Sequence, residues 1–223
     1  MKRIQVDNPQ AFAHMVTAHI QQVAEGNDRE ILIGIPGGRG AVAVVAGVLE
    51  CQDALLKRIQ LFLVDERLEG PTNLETLLDV GLSDAIGTGR LRSSQIQVLA
   101  LNKPFNSTGR PLDLVYLGVG EDGHVASLFP GSYPALDAKD ISDTALVEDS
   151  PKPPPTRVTI TYRGLKTYAK RAQVYLLFFG EGKRLALDRF LSGNESPSTL
   201  PCIYFPREWF SVDIVTDLKE AVR

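Results

Sequence analysis

The 223-residue sequence contains no run of 18 or so apolar residues, so no segment reads as a membrane-spanning helix. Its start, Met1 to Asn8, also lacks the apolar stretch of a secretory signal, and a cytoplasmic protein with no membrane partner is expected. Cysteine is scarce: Cys51 and Cys202 lie far apart, with no Cys-x-x-Cys pair. Only three histidines are present, at 14, 19 and 124, and none is at ligand spacing from a cysteine. Neither a disulfide nor a bound metal is expected from that spacing. An excess of positive charge is missing too, since 24 Lys and Arg stand against 27 Asp and Glu, a formal charge of −3. That balance disfavours nucleic acid as a partner, so an anion bound here must be held by a local site.

What is present is an ordinary globular composition, 43% hydrophobic and 23% charged, enough to build a sizeable core. The spacing of Phe12, Met15, Val16, Ile20 and Val23 predicts a helix that starts at Asn8-Pro9 and stops by Gly26. His14 and His19 ride on it as ordinary helix residues. Short apolar runs at 31–35, 59–64, 113–117 and 173–179 read as strands covered on both faces. Helices are expected at 41–50, around 73–82, near 165–171 and from Lys183 to Ser192. Further strands are expected at 157–161 and 213–216, with a short helix at the C-terminus. The run Pro151-Lys152-Pro153-Pro154-Pro155 reads as a rigid surface connection. The sum is an α/β fold: one domain over residues 1–223, with an open, mostly parallel, Rossmann-like sheet flanked by helices on both faces.

Ligands of such sheets bind outside the carboxyl ends of the strands, so the loops there carry the chemistry. Gly37-Gly38-Arg39-Gly40 joins a strand to a helix start, where bare backbone N–H groups approach a phosphate and Arg39 adds a fork of donors; a tight turn with a solvated arginine is the plain alternative. Asp65-Glu66-Arg67 places charges directly after a strand, either as a solvated loop or to orient a polar, anionic substrate. Gly118-Val119-Gly120-Glu121-Asp122-Gly123 matches a dinucleotide fingerprint in letters, but Pro130-Gly131 stops any helix begun there. Instead the glycines present His124, suited to proton transfer near neutral pH, beside Asp122, which is suited to orienting it. Lys183 follows another glycine turn as a candidate phosphate contact, and Arg157 leads a strand after the proline run. No Gly-x-Ser-x-Gly elbow occurs, and Cys51 lies in a helix, so no covalent nucleophile is indicated.

The stretch Leu117-Gly118-Val119-Gly120-Glu121-Asp122-Gly123-His124-Val125-Ala126-Ser127-Leu128-Phe129-Pro130-Gly131 resembles the signature of the 6-phosphogluconolactonases, a family that shares its fold with amino-sugar-phosphate isomerases and deaminases. Gly37-Gly38-Arg39, Val64-Asp65-Glu66-Arg67, Pro154-Pro155-Thr156-Arg157-Val158-Thr159 and Gly180-Glu181-Gly182-Lys183 resemble its other landmarks, in order. The resemblance implies hydrolysis of 6-phospho-D-glucono-1,5-lactone, without metal or organic cofactor, by a monomer or weak homo-oligomer. It implies His124 as the base that activates water and Asp122 as its orienting partner. Gly37, Gly38, Arg39, Arg157 and Lys183 fall on the phosphate side, while Asp65 and Arg67 face the substrate. Backbone N–H groups of the 120–124 bend are candidate oxyanion donors. Two positions depart from the pattern: the glycine loop has Pro36 before it and Gly40-Ala41 after it, so it lacks the usual hydroxyl, and Glu69-Gly70 replace Val-Pro after Arg67. An amino-sugar-phosphate deaminase would carry Asn-Glu-Pro where this chain has Ser127-Leu128-Phe129-Pro130. A non-catalytic sugar-phosphate binder is the alternative from another class.

Overall fold

Along the central strands successive side chains enter two different cores, and helices close over both. The computed structural model describes residues 1–101, 103–138 and 142–219, with the side chain of Arg39 outside the described part. Among the described residues ten strands run in chain order as β1 (Arg3–Gln5), β2 (Ile31–Ile35), β3 (Ile59–Leu63), β4 (Asp65–Arg67), β5 (Ile96–Gln97), β6 (Leu114–Gly118), β7 (Thr144–Val147), β8 (Arg157–Ile160), β9 (Gln173–Phe178) and β10 (Ser211–Thr216). The helices are α1 (Pro9–Ala24), α2 (Arg39–Leu49), α3 (Asp53–Leu56), α4 (Asn73–Leu77), α5 (Ser83–Gly87), α6 (Tyr162–Tyr168) and α7 (Arg184–Ser192). Among the described residues no helix is long and apolar enough to cross a membrane.

Seven strands form the main sheet in the order β1-β10-β9-β6-β2-β3-β5, every pair parallel. In β6, Val115 and Leu117 enter one core while Leu114 and Tyr116 enter the other. Asn8 starts α1 as expected, its side chain accepting from the N–H of Ala11 at 2.9 Å. Phe12, Val16 and Ile20, four residues apart, are fully buried on the α1 face that meets the sheet.

Strand order decides where a ligand can sit. From β2 the chain moves outward to β3 and β5, then returns to lay β6 along the other flank of β2. The order reverses between β2 and β6, and the crevice at their carboxyl ends is the binding position of an open α/β sheet. Both glycine loops, at 37–40 and 118–123, leave from this point.

Several details differ from expectation. The helix expected over 73–82 breaks, because Gly81 adopts φ 127° and a wide turn at 78–82 separates α4 from α5. The strand at 157 does not join the main sheet but pairs antiparallel with β4 and β7 in a second, three-stranded sheet. Thr161 caps α6 rather than extending β8, its hydroxyl accepting from the N–H of Gly164 at 3.0 Å. Of the expected C-terminal helix, residues 217–219 are irregular and residues 220–223 lie outside the described part.

Candidate active site

At the end of β2 the chain turns through Pro36-Gly37-Gly38 into α2. Gly38 occupies the N-cap with φ 75°, a conformation that favours glycine, and supplies no side-chain acceptor. The first N–H groups of a helix have no intrahelical partner and carry partial positive charge, so this end of α2 suits an anion. Gly37 lies against the buried Asn73, whose side-chain amide occupies the space a Cβ would need.

The loop after β6 folds back on itself to hold a histidine. The Gly120 N–H donates to the His124 carbonyl at 2.8 Å, and the Gly123 N–H donates to the Gly120 carbonyl at 3.0 Å. Asp122 Oδ1 accepts the His124 N–H at 3.2 Å and lies 2.5 Å from His124 Nδ1. Burial opposes ionisation of Asp122, but the hydrogen bond and charge of His124 outweigh it and bring the carboxyl down to about 2. An ionised carboxylate on Nδ1 fixes the tautomer in which Nε2 is the basic nitrogen. The N–H groups of Gly120, Gly123 and His124 are thus spent inside the bend, which removes them as oxyanion donors.

A third group comes from the edge where β4 meets β8. Register places Arg67 opposite Arg157, so two guanidinium groups stand side by side. Arg157 is buried and held by the proline run: its Nε donates to Pro154 O at 3.1 Å, and its Nη2 donates to Lys152 O at 3.1 Å and Pro153 O at 2.9 Å. The run is therefore a clamp on a cation as well as a connection. Asp65 Oδ2 lies 4.0 Å from Arg157 Nη1 and accepts the Ser127 hydroxyl at 2.7 Å. Burial pushes the Asp65 carboxyl up, against the pull of Ser127, Arg157, His124 and Arg67. Burial likewise lowers Arg157, with Asp65 opposing the shift. Glu66 turns away from the substrate side and accepts the backbone N–H groups of Arg67, Asn73 and Leu74 at 2.7, 2.6 and 2.9 Å, tying β4 to the start of α4. Arg67 donates through Nη1 to Pro71 O at 3.0 Å, and its Nε is buried without a partner.

Two cavities meet at His124. One, about 260 Å³, is lined by Gly40, Glu121 and Lys183. The other, about 130 Å³, is lined by Asp65, Arg67, Asn73 and Arg157. Gly37, Gly38, Gly118 and His124 line both, which makes one cleft with the imidazole between a lysine side and a paired-arginine side. The sequence landmarks Gly37, Gly38, Asp65, Arg67, Arg157, Lys183 and His124 all reach this cleft, and Asp122 stands behind His124. Arg39 opens α2, but its side chain lies outside the described part. Asn73 and Ser127 were not singled out as site residues in the sequence, although Ser127 lies inside the signature stretch Leu117 to Gly131.

Elsewhere the chemistry is quiet. Among the described residues no three His, Cys, Asp or Glu gather to hold a metal ion. Cys51 and Cys202 are buried free thiols, pushed up by burial to about 11 and about 12. His19 stacks on Tyr175 with ring centroids 4.3 Å apart, and burial lowers it to about 4.

A family model described as glucosamine-6-phosphate isomerases/6-phosphogluconolactonase matches residues 91–211. The 6-phosphogluconolactonase of Borreliella burgdorferi is 32% identical over 190 residues, covering 78% of this chain and 78% of that protein. The human 6-phosphogluconolactonase is 32% identical over 207 residues, covering 83% and 78%. A crystal structure of 6-phosphogluconolactonase from Thermotoga maritima superposes with a TM-score of 0.75 over 96% of this chain and 97% of that one, at 22% identity.

Proposed function

This chain belongs to the family of glucosamine-6-phosphate isomerases and 6-phosphogluconolactonases, and on that footing we propose that it hydrolyses 6-phospho-D-glucono-1,5-lactone to 6-phosphogluconate, with His124 as the general base. The observation that carries this reading is the 2.5 Å contact of His124 Nδ1 with Asp122, where the two anion-suited cavities join.

The reaction asks little of the protein. Water adds to the lactone carbonyl and gives its proton to His124 Nε2; the tetrahedral intermediate collapses, and the ring oxygen leaves with that proton. A well-placed base contributes roughly 10²- to 10⁴-fold. The ionised Asp122 stabilises the imidazolium that forms between the two steps. The substrate phosphate is placed at Gly37, Gly38 and the start of α2, reached by Lys183 from one side and Arg157 from the other, with Arg39 at the helix start. Arg67, held through Nη1 by Pro71 O, lines the cleft from β4 together with Asp65 and is assigned to the lactone oxygens. Because the N–H groups of Gly120, Gly123 and His124 are engaged within the bend, a guanidinium is the better source of oxyanion stabilisation than these three.

The test is the decay of freshly generated lactone with the parent protein, with His124→Ala and with no protein, since the lactone also opens by itself. Acceleration by the parent alone supports both the activity and the base. Equal decay in all three, with a melting temperature raised by 6-phosphogluconate, would instead mark a binder.

A further inference from the structure

Phe129 lies five residues beyond His124, and it is absent from both walls of the cleft. Its ring is only 3% exposed, yet it carries two functional side chains at once. The His124 ring packs on it at a centroid distance of 4.7 Å with the planes at 44°, and the Arg157 guanidinium carbon stands 5.8 Å from the same centroid. The segment that bears it is fixed: Val125 bridges to both Val119 and Leu128, the Ser132 N–H donates to Phe129 O at 3.3 Å, and the Gly131 N–H donates to Ser198 O at 2.8 Å.

We propose that Phe129 is a positioning residue that couples the base to the anion-binding arginine. The inference rests on His124 acting as base. One rigid ring sets the spacing between the imidazole that takes the proton and a guanidinium that holds the substrate. Its π face also favours the imidazolium over the imidazole, because a cation within about 6 Å of a ring centroid is attracted to the ring. Other charges act on His124 as well: Glu121 and Asp122 on its own loop, Asp65 and Arg67 from β4, Arg157 from β8, and Lys183 across the cleft. A substitution at Phe129 leaves all of these in the chain and touches directly only His124 and Arg157, the two side chains that the ring supports.

The experiment measures kcat, KM and the pH dependence of kcat/KM for the parent, Phe129→Leu, Phe129→Met, Phe129→Tyr and His124→Gln, on freshly generated 6-phosphogluconolactone and above the spontaneous rate. The Leu and Met variants are expected to lose about ten- to a hundredfold in kcat and to raise KM, because both ends of the cleft lose their common support. Phe129→Tyr keeps the ring and is expected to stay within about threefold of the parent. The acid limb of kcat/KM is expected to move down by about half a pH unit in the Leu and Met variants, since loss of the ring removes support for the protonated base. Added solvent at the site would move that limb up, so the sign separates ring contact from mere loosening. A limb that stays or rises, or a Tyr variant as impaired as Leu, overturns the proposal. Should the Leu variant fail to fold, Met, closer in size, carries the comparison. If His124→Gln keeps the parent rate, the base assignment falls and the Phe129 proposal with it; if His124→Gln is inactive while Leu and Met match the parent, only the Phe129 proposal falls.

Discussion

The place where a Cβ on Gly120 would lie is already taken by His124 Nδ1, and the same Cβ would sit 2.6 Å from Asp122 Oδ1. The glycine is therefore part of the catalytic geometry, because only a residue without a side chain lets the loop double back and lay the imidazole over its own backbone. Gly120→Ala is expected to lower kcat by about two orders of magnitude while keeping His124 and Asp122 in the chain. Overpacking of this kind also costs about 1–3 kcal/mol of stability. A folded Gly120→Ala protein with the parent rate would show that the base does not need this position.

The two cationic sides of the cleft predict separable effects on substrate affinity. Lys183→Ala and Arg157→Lys are expected to raise KM for the phosphorylated lactone with little change in kcat, since phosphate binding is the same in ground and transition states. Lysine at 157 keeps the charge but not the fork that the proline-run carbonyls hold. Glucono-1,5-lactone without the phosphate supplies the control: a residue that holds the phosphate should lose its effect there. If either variant impairs both lactones equally, that residue acts on the ring and not on the phosphate.

Much of this cleft was legible in the sequence, and what was not has a common cause. Apolar runs and glycine loops are local signals, so β2, β6 and β9 and the turns that follow them could be read directly. The three-stranded sheet could not, because β4 has three residues and β7 four, and each acquires its meaning only by pairing with β8. The facing of Arg67 and Arg157 is a fact of register between segments 90 residues apart. Asn73 and Ser127 were missed for the same reason. Each is a common polar residue whose role appears only when the fold brings it to Asp65, through contacts of 3.0 Å from the Asn73 amide to the Asp65 carbonyl and 2.7 Å from the Ser127 hydroxyl. The break at 78–82 was hidden because Leu77, Leu78 and Leu82 keep a helical apolar rhythm across it.

Gly37 and Asn73 predict a second steric test, at the phosphate end. A Cβ on Gly37 would overlap the Asn73 amide, which is 2% exposed and cannot swing into solvent without breaking its contact with Asp65. Gly37→Ala is expected to raise KM and to lower the melting temperature, whereas Gly38→Ala meets no atom within 4 Å and is penalised only by its backbone angle of 75°. Kinetics and melting curves of the two variants side by side check this. Greater thermal loss at Gly38 than at Gly37 would mean that backbone strain, not contact with Asn73, governs the loop.

The depressed carboxyl of Asp122 makes a prediction about stability as well as rate. Its pKa is brought from an ordinary 3.8 to about 2, so the folded state binds this proton less readily than the unfolded chain. The stabilisation is therefore complete above about pH 4 and is lost as pH falls towards 2. With the Asp122 side chain 32% exposed, solvent screening leaves about 1–2 kcal/mol of the shift as stability. Asp122→Asn should be less stable than the parent by about that amount at pH 5, and the gap should close near pH 2. Denaturant midpoints at both pH values check it: a gap that stays constant would mean that the carboxylate charge is not what holds His124. The same variant should lose kcat, because an amide on Nδ1 no longer favours the imidazolium. The two measurements together separate the electrostatic role of Asp122 from its place in the turn, where Asn can still accept the His124 N–H.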